Sequence, residues 1–170
     1  MERKTLMADW PRSGTDVEGA SRLVQHGYPA LAPVIPDMVG WLKSNHPVRR
    51  VFCDFLAGVG DELVRNGDGA LQPIRTALVG THEFQIEALM RSVLAEWSPD
   101  ALKVLASELE GHLQRGSLLG LNILALGLLQ KAGADTHAPV AEWAGLFRRR
   151  LQHQAEALDG IESRLPAPRT

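Results

Sequence analysis

Residues 47–60 read PVRRVFCDFLAGVG, and the spacing of their apolar side chains decides the fold class. The apolar positions recur three and four residues apart, which is the period of one face of an α-helix. Pro47 suits the first helical position, where its missing N–H costs nothing, and Gly60 ends the run. The inward stripe consists of Val48, Val51, Phe52, Phe55, Leu56 and Val59. This segment therefore predicts an amphipathic helix.

The same spacing returns further along the chain, between residues 81 and 97. There the inward positions are Ile86, Leu89, Met90, Val93, Leu94 and Trp97. A short proline-containing segment precedes each helix, Pro33-Val34-Ile35 in the first case and Pro73-Ile74 in the second. Their separation is close to the ~40 residues of HEAT-type repeats. Each unit is therefore predicted to be a pair of helices, and segments 101–115 and 118–129 supply a third pair.

The sequence thus predicts an all-α fold, a HEAT-like α-α superhelix of about three helix pairs plus a long C-terminal helix. We expect one domain over residues 1–170, with a leader over 1–14, the helix pairs over 15–130 and the C-terminal helix over 136–164. The last helix would cover the exposed end of the stack, either its own or that of another subunit. Its apolar stripe consists of Val140, Trp143, Phe147, Leu151, Leu158 and Ile161.

Local sequence signals predict where two helices start and which side of the second helix faces outward. Thr15, followed three residues later by Glu18, forms a capping box and predicts the start of the first helix. Ser98 followed by Pro99 predicts another start. In the helix after Pro99 the leucines form the inward stripe, so Glu108 and Glu110 are expected on the outer face.

Composition and charge exclude several classes of protein. The chain has 170 residues, 45% of them hydrophobic and 22% charged, which is typical of one globular domain. Its net charge of -2 lacks the basic excess that sequence-independent nucleic-acid or anionic-membrane binding needs. A single cysteine excludes an internal disulfide framework and a multi-thiolate zinc site. With no apolar signal segment near Met1, we expect a cytoplasmic protein that engages neither membrane nor nucleic acid.

Few side chains suggest catalysis or metal binding. The six histidines fall in different predicted elements without an H-x-x-x-H pair, so no metal site and no cofactor are expected. Cys53 lies beside Arg49 and Arg50 in helical geometry, where packing between helices explains it better than nucleophilic chemistry without a base. Residues 148–150 are consecutive arginines, so they fan around their helix and do not form one RNA-binding face.

Several short motifs occur in a defined order in the first part of the chain. They are Gly27-Tyr28-Pro29-Ala30-Leu31, Pro33-Val34-Ile35-Pro36, Trp41-Leu42 and Pro47-Val48, preceded by Leu6-Met7 and Asp16-Val17-Glu18. In this order the chain resembles a bacterial family, domain of unknown function 5071, over roughly residues 6–129. The resemblance implies a small HEAT-type stack and supplies no catalytic residues. Two departures are Asn45-His46, where the family has Asn-Trp, and Glu83-Phe84-Gln85, where it has a Trp-rich helix start.

The polar faces of the two equivalent helices give the main functional hypothesis. The candidate partner-binding residues are Arg49, Arg50 and Asp54 on the first helix and Glu83, Glu87 and Arg91 on the second. Stacked repeats would join these faces into one surface, although a merely solvated face has the same composition. We therefore expect a non-enzymatic module that binds another protein, and within that class an immunity protein that neutralises a cognate bacterial toxin.

A second hypothesis comes from a different class. An enzyme or small-ligand binder would place its site in a cleft between helix pairs, with His46 and Cys53 as its first candidates. Cys53 lies two helical turns beyond His46, which replaces an aromatic residue at the turn of the resembled family. A third hypothesis is a nucleic-acid binder that uses Arg148, Arg149 and Arg150. The exposed end of a helical stack also allows a homodimer.

Overall fold

The computed structural model describes residues 3–8, 10–114, 119–133 and 139–163, and all regular secondary structure in these ranges is helical. The α-helices are α1 (Arg3–Ala8), α2 (Val17–Val24), α3 (Ile35–Trp41), α4 (Val48–Gly58), α5 (Gly60–Arg65), α6 (Asp68–Leu78), α7 (Glu83–Ala88), α8 (Pro99–Lys103), α9 (Ala106–Gln114), α10 (Leu119–Lys131) and α11 (Pro139–Glu162). The predicted all-α class is confirmed. None of the described helices is both long enough and apolar enough to cross a membrane.

The helices are arranged in two contacting rows. The first row contains α3, α6 and α9, each in contact with the next. The second row contains α2, α4, α7 with the turn that continues it, and α10, again in contact one after another. Helix α3 also contacts α4, α6 contacts α7, and α9 contacts α10, so the rows face each other as pairs. Helix α11 packs against α10 at the far end of the second row.

Two of the predicted helix starts differ in outcome. Ser98 caps α8, since its hydroxyl accepts a hydrogen bond from the Ala101 N–H at 3.2 Å, as predicted. The predicted capping box at Thr15 is wrong, because Asp16 is the capping residue of α2 and its Oδ1 accepts from the Gly19 N–H at 2.9 Å. The Thr15 hydroxyl instead lies 3.0 Å from the Ser13 hydroxyl.

The segment predicted as one helix over residues 81–97 is divided into three pieces. Helix α7 runs into a π-helical turn at Leu89–Val93 and then into a 3-10 turn at Leu94–Glu96. The predicted inward residues are nevertheless buried along the whole segment, so the apolar spacing identified the inner face correctly. The predicted end of the first helix at Gly60 is also not the end of helical structure, because helix α5 begins at Gly60.

Gly60 begins α5 at a place where no side chain fits. A Cβ atom at this position would lie 2.7 Å from ring atoms of Trp97, which is closer than real Cβ contacts allow. The Trp97 ring is 1% exposed, and its Nε1–H donates a hydrogen bond to the Leu56 carbonyl at 3.1 Å. The absence of a side chain at Gly60 therefore lets α5 approach the end of the 81–97 segment.

Buried polar side chains connect each helix pair to the next. Three such bonds run from Gln85 Nε2 to the Val39 carbonyl at 2.7 Å, from Trp97 Nε1 to the Leu56 carbonyl at 3.1 Å, and from His112 Nε2 to the Leu78 carbonyl at 2.5 Å. A carbonyl only accepts, so in each case the side chain donates. Since an unpaired buried polar group is costly, these bonds favour one register between neighbouring pairs.

The prediction that Glu108 lies on an outer face is wrong. Glu108 forms an ion pair with Arg75 of α6, and the two side chains are only 14% and 21% exposed. Arg75 also donates from Nη2 to the Val104 carbonyl at 3.0 Å and lies 3.3 Å from Asp68. The predicted leucine stripe is buried, although the structure divides the predicted helix into α8 and α9. Glu108 therefore faces the neighbouring first-row helix α6.

The two ends of the chain differ from the prediction. The expected leader over residues 1–14 contains α1, whose Leu6 is fully buried in the core. In the expected apolar stripe of α11, Phe147 is buried and Trp143 is partly buried, whereas Leu151, Leu158 and Ile161 are 45%, 59% and 57% exposed. Thr136, the predicted start of that helix, and Arg164, its predicted last residue, lie outside the described residues.

Candidate functional site

The six predicted partner-binding residues line two neighbouring grooves on the second row. The first, which we call the basic groove, has a volume of about 820 Å³ and is lined by Arg49, Arg50 and Asp54 together with His46 and other residues of α2 and α4. The second, the α7 groove, has a volume of about 310 Å³ and lies between α7 and α10. Its lining includes Glu83, Glu87 and Arg91.

The Arg49 side chain joins the two grooves. Its guanidinium carbon lies 4.1 Å above the centre of the Phe84 ring, which itself lines the α7 groove. A cation over an aromatic face is attracted by the electrons of the ring. Phe84 is 41% exposed, so this contact lies at the surface and does not belong to the core. The predicted continuity between α4 and α7 therefore has a direct contact at Arg49 and Phe84.

The charges along this surface differ in how they are engaged. Glu87 and Arg91 form an ion pair one helical turn apart, with a nitrogen–oxygen distance of 3.1 Å. Arg50, Asp54 and Glu83 are exposed and make no ion pair with any residue that the structure describes. These three charges are consequently accessible to a binding partner without first breaking a contact of the fold.

A π-helical turn borders the basic groove. Ser92 lies in this turn and lines both the basic groove and a further depression of about 650 Å³, the acidic groove. The acidic groove also contains Asp54, Asp61 and Glu96, and Asp61 accepts a hydrogen bond from the Ser98 hydroxyl at 2.6 Å. Short π-helical turns occur often at functional sites. Since the basic groove lies at the N-terminal end of α4 and the acidic groove at its C-terminal end, the charge of the surface changes sign along this helix.

Cys53 and His46 line the same groove, as the second hypothesis requires. The Cys53 residue is 4% exposed, which supports its predicted role in packing between helices. Burial raises the pKa of the Cys53 thiol, and the nearby Arg49 charge only partly opposes that effect. A raised pKa keeps the thiol protonated at neutral pH, which disfavours attack as a thiolate.

Metal binding has no support in the described part of the chain. No group of three or more histidine, cysteine, aspartate or glutamate side chains in those ranges is placed to hold an ion. One of the six histidines, His137, lies outside the described residues.

Trp10 packs against Phe52 at a ring-centre distance of 5.4 Å, and Trp97 is buried, so these two indoles belong to the core.

Sequence reasoning missed the contribution of Phe84, Val17 and Ser92 to this surface. Phe84 carried a signal, since it stands in the segment that departs from the Trp-rich helix start of the resembled family. The sequence gives no signal for Val17 and Ser92, because they line the basic groove only as a result of the packing of α2 and of the π-helical turn against α4.

The fold and the grooves define an all-α protein with an open, mixed-charge surface along one row of helices. Comparison with protein-family models, with curated proteins and with solved structures finds no match. Membership in the domain of unknown function 5071 family therefore stays a prediction that rests on the motif order alone.

Proposed function

We propose that this protein is a non-enzymatic protein-binding module, a HEAT-like α-α superhelix whose second row binds the partner. The order of the helix contacts supports the superhelix, since each helix pair contacts the pair that precedes or follows it along the chain. Repeat stacks offer preformed surfaces, which lose little conformational entropy on binding.

The observation that carries the proposal is the Arg49–Phe84 contact between the basic groove and the α7 groove. It makes one surface from side chains of two helix pairs, and accessible charges of both signs lie on either side of it. Such a surface matches a folded partner with complementary charges better than it matches a small molecule, because the two grooves are open to solvent and continue into each other across the Arg49–Phe84 contact.

Within the class of binding modules, the biological role we propose is that of a cytoplasmic immunity protein that neutralises a cognate bacterial toxin. A small chain that consists of a binding surface and its scaffold can act by covering the active surface of another protein. Charge complementarity would make that association fast and specific. The partner would then present acidic groups to Arg49 and Arg50 and a basic group to Glu83.

The decisive experiment captures the tagged chain from its native host and then measures the affinity of the identified partner for single variants. Arg50→Glu and Glu83→Lys each reverse an exposed, unpaired charge in one groove, and each should weaken binding by about tenfold or more. Lys43→Glu is the matched control, because Lys43 is exposed beside the first-row helices α3 and α6 and should leave binding unchanged. If the partner is a toxin, wild-type protein should restore growth and Arg50→Glu should not.

The absence of any stoichiometric partner would contradict the proposal, and so would a partner whose affinity is unaffected by both reversals. All three variants change exposed residues, so their unfolding transitions should match the wild type within about 0.5 kcal/mol. Loss of binding without loss of stability therefore assigns the effect to the surface.

A small-ligand or enzymatic role is the second candidate, because His46 and Cys53 do line one groove. The raised pKa of Cys53 makes a binding role for this groove more plausible than thiolate catalysis. A His46→Ala, Cys53→Ser double variant that retains every detected activity would remove this candidate.

A further inference from the structure

The distal part of α11 extends beyond its packing contacts. Phe147 is 3% exposed and stacks on Trp143 at a ring-centre distance of 5.9 Å, and this pair lies where α11 meets the body. Every residue from 148 to 161 is exposed in the structure. At 1.5 Å per residue, this is about 21 Å of helix without packing. Helices of that length are marginal in water when they are isolated, so a packing partner would stabilise this segment.

The exposed segment is amphipathic. Leu151, Leu158 and Ile161 are 45%, 59% and 57% exposed. Their separations of seven and three residues place them along one side of the helix, which is the spacing of a helix-to-helix seam. This side therefore suits another helix with the same apolar spacing.

The charges of the segment change sign along its length. Arginines occupy residues 148–150, and the acidic residues Glu156 and Asp159 follow. Arg148 and Asp159 are eleven residues apart, which is close to three turns, so both flank the same edge of the apolar side. Neither forms an ion pair with a described residue of its own chain. Two copies aligned in parallel would oppose like charges, whereas an antiparallel pair would oppose Arg148 to Asp159.

We propose that the distal part of α11 pairs antiparallel with the same segment of a second copy of this chain. A twofold axis close to residues 154 and 155 then brings Leu151 of each copy near Leu158 of the other, and Arg148 near Asp159. The packing contacts that this helical segment lacks in one chain are supplied by the second. None of residues 148–161 lines the basic groove or the α7 groove, so the proposed dimer does not depend on the proposed partner.

The test is sedimentation equilibrium of the full chain and its variants. Wild-type protein should dimerise, and Leu158→Glu should abolish the dimer because it places a carboxylate in the apolar seam. Arg148→Asp and Asp159→Arg should each weaken dimerisation by about tenfold, since each opposes like charges twice in a symmetric pair. The double variant R148D/D159R should recover most of the lost affinity, because it restores opposite charges with their positions exchanged.

Arg149→Asp is the matched control. Residue 149 lies on the opposite side of the helix from the apolar seam, so the same charge reversal should leave the dimer intact. Circular dichroism verifies that each variant remains helical. A chain that is monomeric at every soluble concentration would overturn the proposal. So would a dimer that Leu158→Glu leaves unchanged, or single reversals that the double variant does not rescue.

Discussion

The junctions between helix pairs and the grooves of the second row contain the same types of polar side chain in opposite situations. At the junctions, Arg75, Glu108 and Gln85 are largely buried and bonded to a neighbouring pair. In the grooves, Arg50 and Glu83 are exposed and make no ion pair within the described chain. An arginine or a glutamate is therefore assigned to folding or to binding by its surroundings. The two regions should consequently respond to substitution in opposite ways.

The largest expected effect is at the junction that Trp97 fills. Trp97→Ala should lower the free energy of unfolding by about 3–5 kcal/mol, because it empties a fully buried site and also removes the indole donor to Leu56. Urea denaturation followed by circular dichroism measures this loss. A loss below about 1 kcal/mol, which is typical of surface positions, would contradict the distinction between the two regions.

Gly60 provides the control for this junction. Gly60→Ala alone should destabilise by about 1–3 kcal/mol, since its Cβ would meet the Trp97 ring. In the Trp97→Ala background the same change should cost much less, because the ring that obstructs it is gone. Additive losses would show that Gly60 is needed for some reason other than this contact.

The next effect in size is expected at the ion pair of Arg75 and Glu108. Glu108→Ala should destabilise by about 2 kcal/mol, between the values for exposed and for fully buried pairs, because it leaves a mostly buried guanidinium without its carboxylate. Thermal unfolding of the two single alanine variants and the double variant gives the coupling between the residues.

Replacing both partners separates packing from charge. Arg75 Nε and Glu108 Oε2 are buried and have no hydrogen-bond partner in the described structure, so the pair is incompletely satisfied. The R75L/E108L variant should therefore cost less than Glu108→Ala alone. A double leucine variant that is less stable than both single alanine variants would show that the ion pair itself, with its bond to Val104, stabilises this junction.

The period of apolar residues predicted the inner faces of α4 and of the 81–97 segment, because burial repeats with the geometry of each helix, but it failed for the distal part of α11, whose apolar side is exposed. It did not predict the π-helical turn at Leu89–Val93, which interrupts a run whose apolar spacing continues unchanged. It also placed Glu108 outside, because spacing describes one helix at a time, whereas the partner Arg75 lies 33 residues earlier in another helix. Contacts between distant segments were therefore beyond this kind of reasoning.

The candidate surface was partly accessible to prediction. All six predicted residues line the two grooves, since exposed positions on equivalent helices follow from the same period as buried ones. The contact that joins the grooves was not predicted, because it depends on how α4 and α7 approach each other. At α2 the choice between Thr15 and Asp16 was also undetermined, as both residue types cap helices and they are adjacent.

Asp16 provides a further test of the comparison between junctions and grooves, because it is a polar residue of the second row with a role in folding. Its Oδ1 and Oδ2 accept hydrogen bonds from the backbone N–H groups of Gly19 and Arg12 at 2.9 and 3.0 Å. These bonds lower the pKa of the Asp16 carboxyl below its ordinary value. Asp16→Ala should therefore reduce stability at pH 7, by less than the junction variants do, since the site is open to water.

The effect of Asp16→Ala should also depend on pH in a defined direction. Because the folded-state pKa lies below the unfolded one, the ionised carboxylate stabilises the fold above about pH 3.9, and this contribution disappears as the pH falls through the folded value. Denaturation of wild type and variant at neutral and strongly acidic pH should show the gap narrowing in acid. Asp16→Asn keeps an acceptor for Gly19 without a titrating group, so it separates capping from charge. A gap independent of pH would mean that the cap acts only through its geometry.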